Sequence, residues 1–108
     1  MDCGRLENAV VVRMSPSLDM SNSSEFKEWL KKECLKDDVK KIILDFSGVK
    51  SIDSYALGVL ISIQKGLGDD GILIIAAPSE SIKRILDITS LNKILLVVDT
   101  LEEALEVK

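Results

Sequence analysis

The stretch Leu44-Asp45-Phe46-Ser47-Gly48-Val49-Lys50-Ser51-Ile52-Asp53-Ser54-Tyr55-Ala56-Leu57-Gly58-Val59-Leu60 joins an apolar strand, a short polar loop and the start of an apolar helix. The strand begins at Ile42-Ile43, and its apolar run does not alternate. A continuous run of this kind implies burial on both faces of a parallel sheet. Ser47 to Ile52 reads as a loop containing Gly48. From Ser54 to about Lys65, Ala56, Leu57, Val59, Leu60, Ile61 and Ile63 point almost all round a helix, which predicts heavy burial. Gly58 inside that helix costs about 1 kcal/mol relative to Ala. Close approach to the sheet is the expected compensation.

Upstream, Ala9 to Met14 is β-branched and compact, and reads as a strand. Ser15-Pro16-Ser17-Leu18-Asp19 interrupts it with turn chemistry, because proline cannot donate to a central ladder. A helix should follow, capped by Ser21 or Asn22; with Asn22 as the cap, Glu25 falls at the third helical position of a capping box. Phe26, Leu30 and Cys34 then form one apolar stripe with Trp29 beside it, so Cys34 is read as core packing.

Downstream, Gly66, Gly68 and Gly71 with Asp69-Asp70 stop the second helix. Ile72 to Ala77 is another buried strand, ended by Pro78. A helix from about Ser79 to Asp87 is expected to carry Ile82, Ile85, Leu86 and Ile88 on one side. Ile94 to Val98 forms the last strand, and Thr100-Leu101-Glu102-Glu103 opens a short helix with Ala104 and Leu105 inward. The order is β-α-β-α-β-α-β-α with an extra short strand near Arg5. This predicts a single α/β domain over residues 1–108, with a single-layer, mostly parallel (mixed) four- to five-stranded sheet and about four helices.

Composition narrows the function classes. The chain of 108 residues is 46% apolar, 4% aromatic and 30% charged, with a net charge of -4 and a pI near 4.8. A mildly acidic domain lacks the electrostatic footprint for nucleic acid or an anionic membrane surface. No secretory leader and no apolar run of about 18 residues is present, so a cytoplasmic location is expected. Cys3 and Cys34 lack any C-x-x-C spacing and read as free thiols of a reducing compartment. Histidine is absent, which removes the usual general base and the commonest transition-metal ligand. No P-loop occurs, and Gly66-Leu67-Gly68 follows a helix rather than a strand, so no cofactor is expected.

In open parallel sheets the functional crevice lies beyond the carboxyl ends of the strands, which singles out the loops Ser15–Ser21 and Ser47–Ser54. Ser54 has two readings. In one its hydroxyl caps the following helix. In the other the helix end, with its unpaired N–H groups and positive potential, is a setting for phosphate on Ser54 beside Asp53. A serine nucleophile would need a base, and only Lys or a carboxylate remains, so a hydrolase is disfavoured. A small-ligand or nucleotide protein using the helix end as an anion site is a third reading, open to a ligand-induced thermal shift.

The quoted stretch resembles the central signature of STAS domains. It is most similar to the anti-sigma-factor antagonist branch, in which a strand and a short loop lead into Asp-Ser-x-Gly-Leu-Gly. Leu18-Asp19 resembles that family's Leu-Asp element, Ser81 to Leu91 its third helix and following turn, and Thr100 to Leu105 its closing helix. The resemblance covers nearly the whole chain from Ala9.

It implies a non-enzymatic partner switch in transcription regulation. An unphosphorylated member binds an anti-sigma factor that is also a serine kinase and thereby releases the sigma factor. The kinase phosphorylates the serine after the aspartate, and a metal-dependent serine phosphatase reverses this. Carried over, the phosphoacceptor is Ser54. Asp19 and Asp53 become neighbouring acidic groups of the kinase-facing surface, and Tyr55 and Leu57 become contact residues, Leu57 being equally suited to the core. The alternative within the same family is a docking subunit of a stress-signalling or transport complex, with Ser54 a structural cap. Three departures stand out. Ala56 replaces the first Gly of Gly-Leu-Gly, Tyr55 fills a position often small, and the short first segment predicts a truncated opening hairpin.

Overall fold

The computed structural model describes residues 2–6, 9–34 and 39–107, without the side chains of Asp2, Cys3, Arg5, Leu6 and Cys34. The readings of Cys3 as a free thiol and Cys34 as core packing therefore lie outside the described residues. The elements run β1 (Asp2–Leu6), β2 (Ala9–Arg13), β3 (Ser17–Leu18), α1 (Ser23–Trp29), β4 (Lys41–Asp45), β5 (Ser51–Ile52), α2 (Ser54–Leu67), β6 (Ile72–Ala76), α3 (Glu80–Ile88), β7 (Leu96–Val98) and α4 (Leu101–Glu106). A π-helical turn, Leu30–Cys34, extends α1, and a 3-10 turn, Leu91–Lys93, precedes β7.

Five strands form one sheet in the order β1-β2-β4-β6-β7, in which β1 is antiparallel and the others are parallel. The expected α/β class and mixed sheet are thus present. The opening hairpin is not truncated: β1 pairs with β2 from Asp2↔Arg13 to Leu6↔Ala9.

The unbroken apolar runs of β4 and β6 are explained by burial on both faces. Ile42 and Leu44, with Val10, Val12, Leu73 and Ile75, meet α1, α2 and α3 through Phe26, Leu60, Ile82 and Leu86. Ile43, Ile74 and Ala76 point to the other face and meet Ala104 of α4. That short helix is tied down by Lys41, whose Nζ donates to the carbonyls of Ala104 (3.3 Å), Leu105 (3.1 Å) and Val107 (2.6 Å). A cation there satisfies carbonyls that a helix C-terminus leaves open and complements its dipole.

Several side chains face the other way from the sequence expectation. Ile88 is 75% exposed. At 3.6 residues per turn it lies about 120° round the helix from Ile82, outside the stripe that Ile82 and Leu86 define. Leu105 is exposed because the neighbouring Ala104 takes the inward position. Ile94 is exposed too, since the 3-10 turn shortens the final strand to Leu96–Val98. The capping box at Thr100 is present, with Glu103 N–H donating to the Thr100 hydroxyl (3.1 Å). Asn22 precedes α1 but does not cap it; its side chain turns back into the preceding loop.

Candidate functional site

The two loops singled out by sequence are drawn together by a two-stranded parallel ladder, Ser17↔Ser51 and Leu18↔Ile52. Leu18 is fully buried and anchors the first loop. The result places the Asp19–Asn22 turn beside the first residues of α2.

Asp53 joins the two. Its Oδ1 accepts from the Ala56 N–H (2.9 Å) and its Oδ2 accepts from the Met20 N–H (3.0 Å). Asp53 is therefore the N-cap of α2, and Ser54 is its first helical residue. This corrects the reading of Ser54 as the cap. The carboxylate reaches the orphan N–H of the third helical residue from the residue before Ser54. The Ser54 side chain is exposed.

The turn around Asp19 is closed on itself. Asn22 Oδ1 accepts from the Asp19 N–H (2.9 Å), and Asn22 Nδ2 donates to the Ser17 carbonyl (2.9 Å). Asp19 Oδ1 accepts from the Ser21 hydroxyl and from the Ser21 N–H. These bonds, the hydroxyl's foremost, hold the Asp19 carboxyl below its ordinary pKa. Tyr55 is 48% exposed, and its hydroxyl shares a 2.8 Å hydrogen bond with the Ser24 hydroxyl of α1.

Of the sequence candidates, Asp19, Asp53, Ser54 and Tyr55 come together here. Leu57 does not belong to the surface: it is buried and packs in the core with Ala56, Leu60 and Ile63. The structure adds Met20, whose apolar side chain is 70% exposed. Only its position after Leu18-Asp19 marked it in sequence.

Gly58 also departs from expectation. Helix α2 is not buried all round; Gly58 shares the solvent side with Ser54, and a Cβ added to it would meet nothing within 4 Å. Among the described residues no close approach offsets its helix cost. Gly58→Ala is therefore expected to stabilise the protein by about 1 kcal/mol, read in thermal unfolding as a Tm rise of roughly 4–8 °C. A lower Tm would show that the open space at Gly58 is needed by the fold.

A concavity of about 490 Å³ lies elsewhere, at the amino ends of β6 and β7, lined by Asp69 to Ile72 and Asn92 to Leu96. Among the described residues no group of three His, Cys, Asp or Glu side chains could hold a metal ion, and no helix is long and apolar enough to cross a membrane. The geometry around Ser54 is that of an exposed hydroxyl beside a turn held by Asp53.

The model of the STAS domain matches residues 2–104. The chain belongs to the STAS domain family. Over 102 residues it is 37% identical to a candidate anti-sigma factor antagonist of Thermotoga neapolitana, covering 94% of this chain and 90% of that one. The crystal structure of a candidate anti-sigma factor antagonist from Thermotoga maritima superposes with a TM-score of 0.87 at 34% identity, over 97% of this chain and 91% of that one. These relatives place the STAS domain in the anti-sigma-factor antagonist branch. Phosphorylated SpoIIAA from Bacillus shares the fold, with a TM-score of 0.72 at 20% identity over 97% and 96% of the two chains.

Proposed function

We propose that this STAS domain is a cytoplasmic anti-sigma factor antagonist whose unphosphorylated form docks an anti-sigma factor with serine kinase activity, and that phosphorylation of Ser54 ends the complex. The observation that carries this reading is the division of labour at the start of α2. Asp53 performs the capping, so the exposed Ser54 hydroxyl is left over from the architecture. A hydroxyl that must enter a kinase's active site has to be exposed in this way.

In the transfer, the Ser54 Oγ forms a bond to the γ-phosphorus of ATP, the bond to the ADP oxygen breaks, and the hydroxyl proton passes to a base of the kinase. The product gains about 1.5 to 2 negative charges. At the first position of a helix of 14 residues the dipole favours that charge. The nearby Asp53 and Asp19 carboxylates oppose it. The fold survives while the docking surface becomes strongly anionic, which is the requirement for a binding switch. A metal-dependent serine phosphatase would hydrolyse the ester and restore the binding form.

The test is intact-mass analysis after incubation with the host's anti-sigma serine kinases, purified singly, and ATP, followed by site mapping. One phosphate is expected, on Ser54, and none in Ser54→Ala. Stable binding to such a kinase without any phosphate would instead make the chain a constitutive docking subunit.

A further inference from the structure

We infer that Asp53 is the positioning residue of this surface, holding the Asp19–Asn22 turn against α2 so that Met20 is presented beside Ser54 as a second, apolar contact for the docking partner. This rests on the docking reading above and specifies how the partner is recognised.

Three observations support it. First, the turn is a closed unit. Asn22 bonds both to Asp19 N–H and to the Ser17 carbonyl, Asp19 bonds to Ser21, and the Asn22 and Ser23 N–H groups both donate to the Asp19 carbonyl (3.1 and 2.8 Å). Such a unit moves as a body, so its placement depends on its external ties. Second, the side-chain tie from α2 to that turn's backbone is the Asp53 carboxylate, at 3.0 Å from Met20 N, reinforced by Asp53 N–H donating to the Leu18 carbonyl at 3.3 Å. One carboxylate thus serves both the helix and the turn, and the position of Met20 is fixed relative to Ser54. Third, the payload of this rigid turn is an apolar side chain 70% exposed, with the half-exposed Tyr55 ring on the same surface. Ordering a backbone around an exposed methionine gains nothing for the isolated chain. It reduces the ordering cost when a partner closes over it, and methionine adapts to an irregular apolar pocket. The expected partner surface pairs an apolar pocket for Met20 with the kinase site that receives Ser54.

The Asp53 tie can be cut without removing the helix cap. Asn has one amide oxygen and one NH2 group, so in Asp53→Asn it can satisfy the Ala56 N–H or the Met20 N–H but presents a donor to the other. Asn is as good an N-cap as Asp, so the oxygen stays with α2 and the side-chain bond to Met20 is lost, while the β3–β5 ladder and the Asp53 N–H bond to Leu18 keep the ends of the turn in place.

The experiment uses the full chain as wild type, Asp53→Asn, Met20→Ala and the double variant. Amide exchange by NMR reads the tie, and calorimetric titration with each purified anti-sigma serine kinase reads docking. The expected result is a protected Met20 amide in the wild type that exchanges freely in Asp53→Asn, with Ala56 still protected. Each single variant should weaken binding roughly tenfold or more, and the double variant should be no weaker than the worse single, because a turn untied at the Met20 N–H no longer holds that side chain in its docking position.

An unprotected Met20 amide in the wild type, Asp53→Asn binding within a factor of about two of wild type, or losses that simply add would overturn the inference. Should Asp53→Asn fail to fold, Met20→Ala decides alone, since the side chain is exposed; unchanged binding overturns the inference. Binding of the wild type to none of the kinases removes the docking reading and this inference with it. Wild-type binding that is insensitive to both substitutions removes this inference only.

Discussion

Ser54→Asp is expected to lower affinity for the anti-sigma partner by about 30-fold or more while leaving Tm within about 2 °C of the wild type. The two halves of this result have separate causes. Ser54 is exposed and its hydroxyl does not cap α2, so its replacement removes no packing and no helix-terminal bond. A carboxylate in the first helical turn gains about 0.3–1 kcal/mol from the dipole. The adjacent Asp53 and the nearby Asp19 repel it by a similar amount, and the net stability change is close to zero. At an interface the balance differs. A new charge enclosed by a partner loses its water, and burying one without a partner costs about 2–5 kcal/mol. Titration calorimetry and differential scanning calorimetry on the same samples read both halves. Binding equal to wild type would show that charge at position 54 is not the switch. Ser54→Ala, which adds no charge, is the matched control and should bind like the wild type.

Phe46→Ala is expected to destabilise the protein by about 3–5 kcal/mol, a large share of the about 5–15 kcal/mol that holds a domain together. Phe46 is fully buried where β4 leaves the sheet and the Ser47–Asp53 loop begins. Its N–H donates to the Ala76 carbonyl (2.8 Å) and its carbonyl accepts from the Val49 N–H (3.0 Å), and its side chain belongs to the core cluster that also contains Val49 of that loop. The loss combines the transfer of the aromatic group out of water with the cavity left behind. Urea unfolding followed by circular dichroism measures it. A loss below about 1.5 kcal/mol would mean that the neighbouring apolar side chains close the cavity.

The reading of β4 and β6 as strands buried on both faces came from their unbroken apolar runs, and the packing of Ile42 and Leu44 on one face and Ile43 on the other accounts for those runs. The Thr100 capping box was legible because all its partners lie within four residues. Several expectations about the direction of side chains failed. Ile88 lies about 120° round α3 from Ile82, outside the inward stripe, and in the short α4 the inward position goes to Ala104 rather than to its neighbour Leu105. Strand β1 (Asp2–Leu6) is the extra short strand expected near Arg5; with no alternation or β-branched run of its own, its length and register come from its ladder to β2.

At the candidate site the same division holds. The sequence by itself determined the α/β class, the helix beginning at residues 53–54, and the juxtaposition in the chain of an acid and a serine, because these follow from local periodicity and capping chemistry. Which of the two residues caps was beyond it: both Asp and Ser are good caps, and a shift of one residue exchanges their roles. The tertiary structure decided that Asp53 caps while Ser54 faces solvent, that Leu57 is core, that Gly58 is open, and that Lys41 secures α4 across the sheet. It also decided that Asp53 meets Met20, 33 positions away in the chain. The reason is that such contacts arise from the parallel pairing of β3 with β5, and a pairing between two-residue segments leaves no period in a sequence to be read.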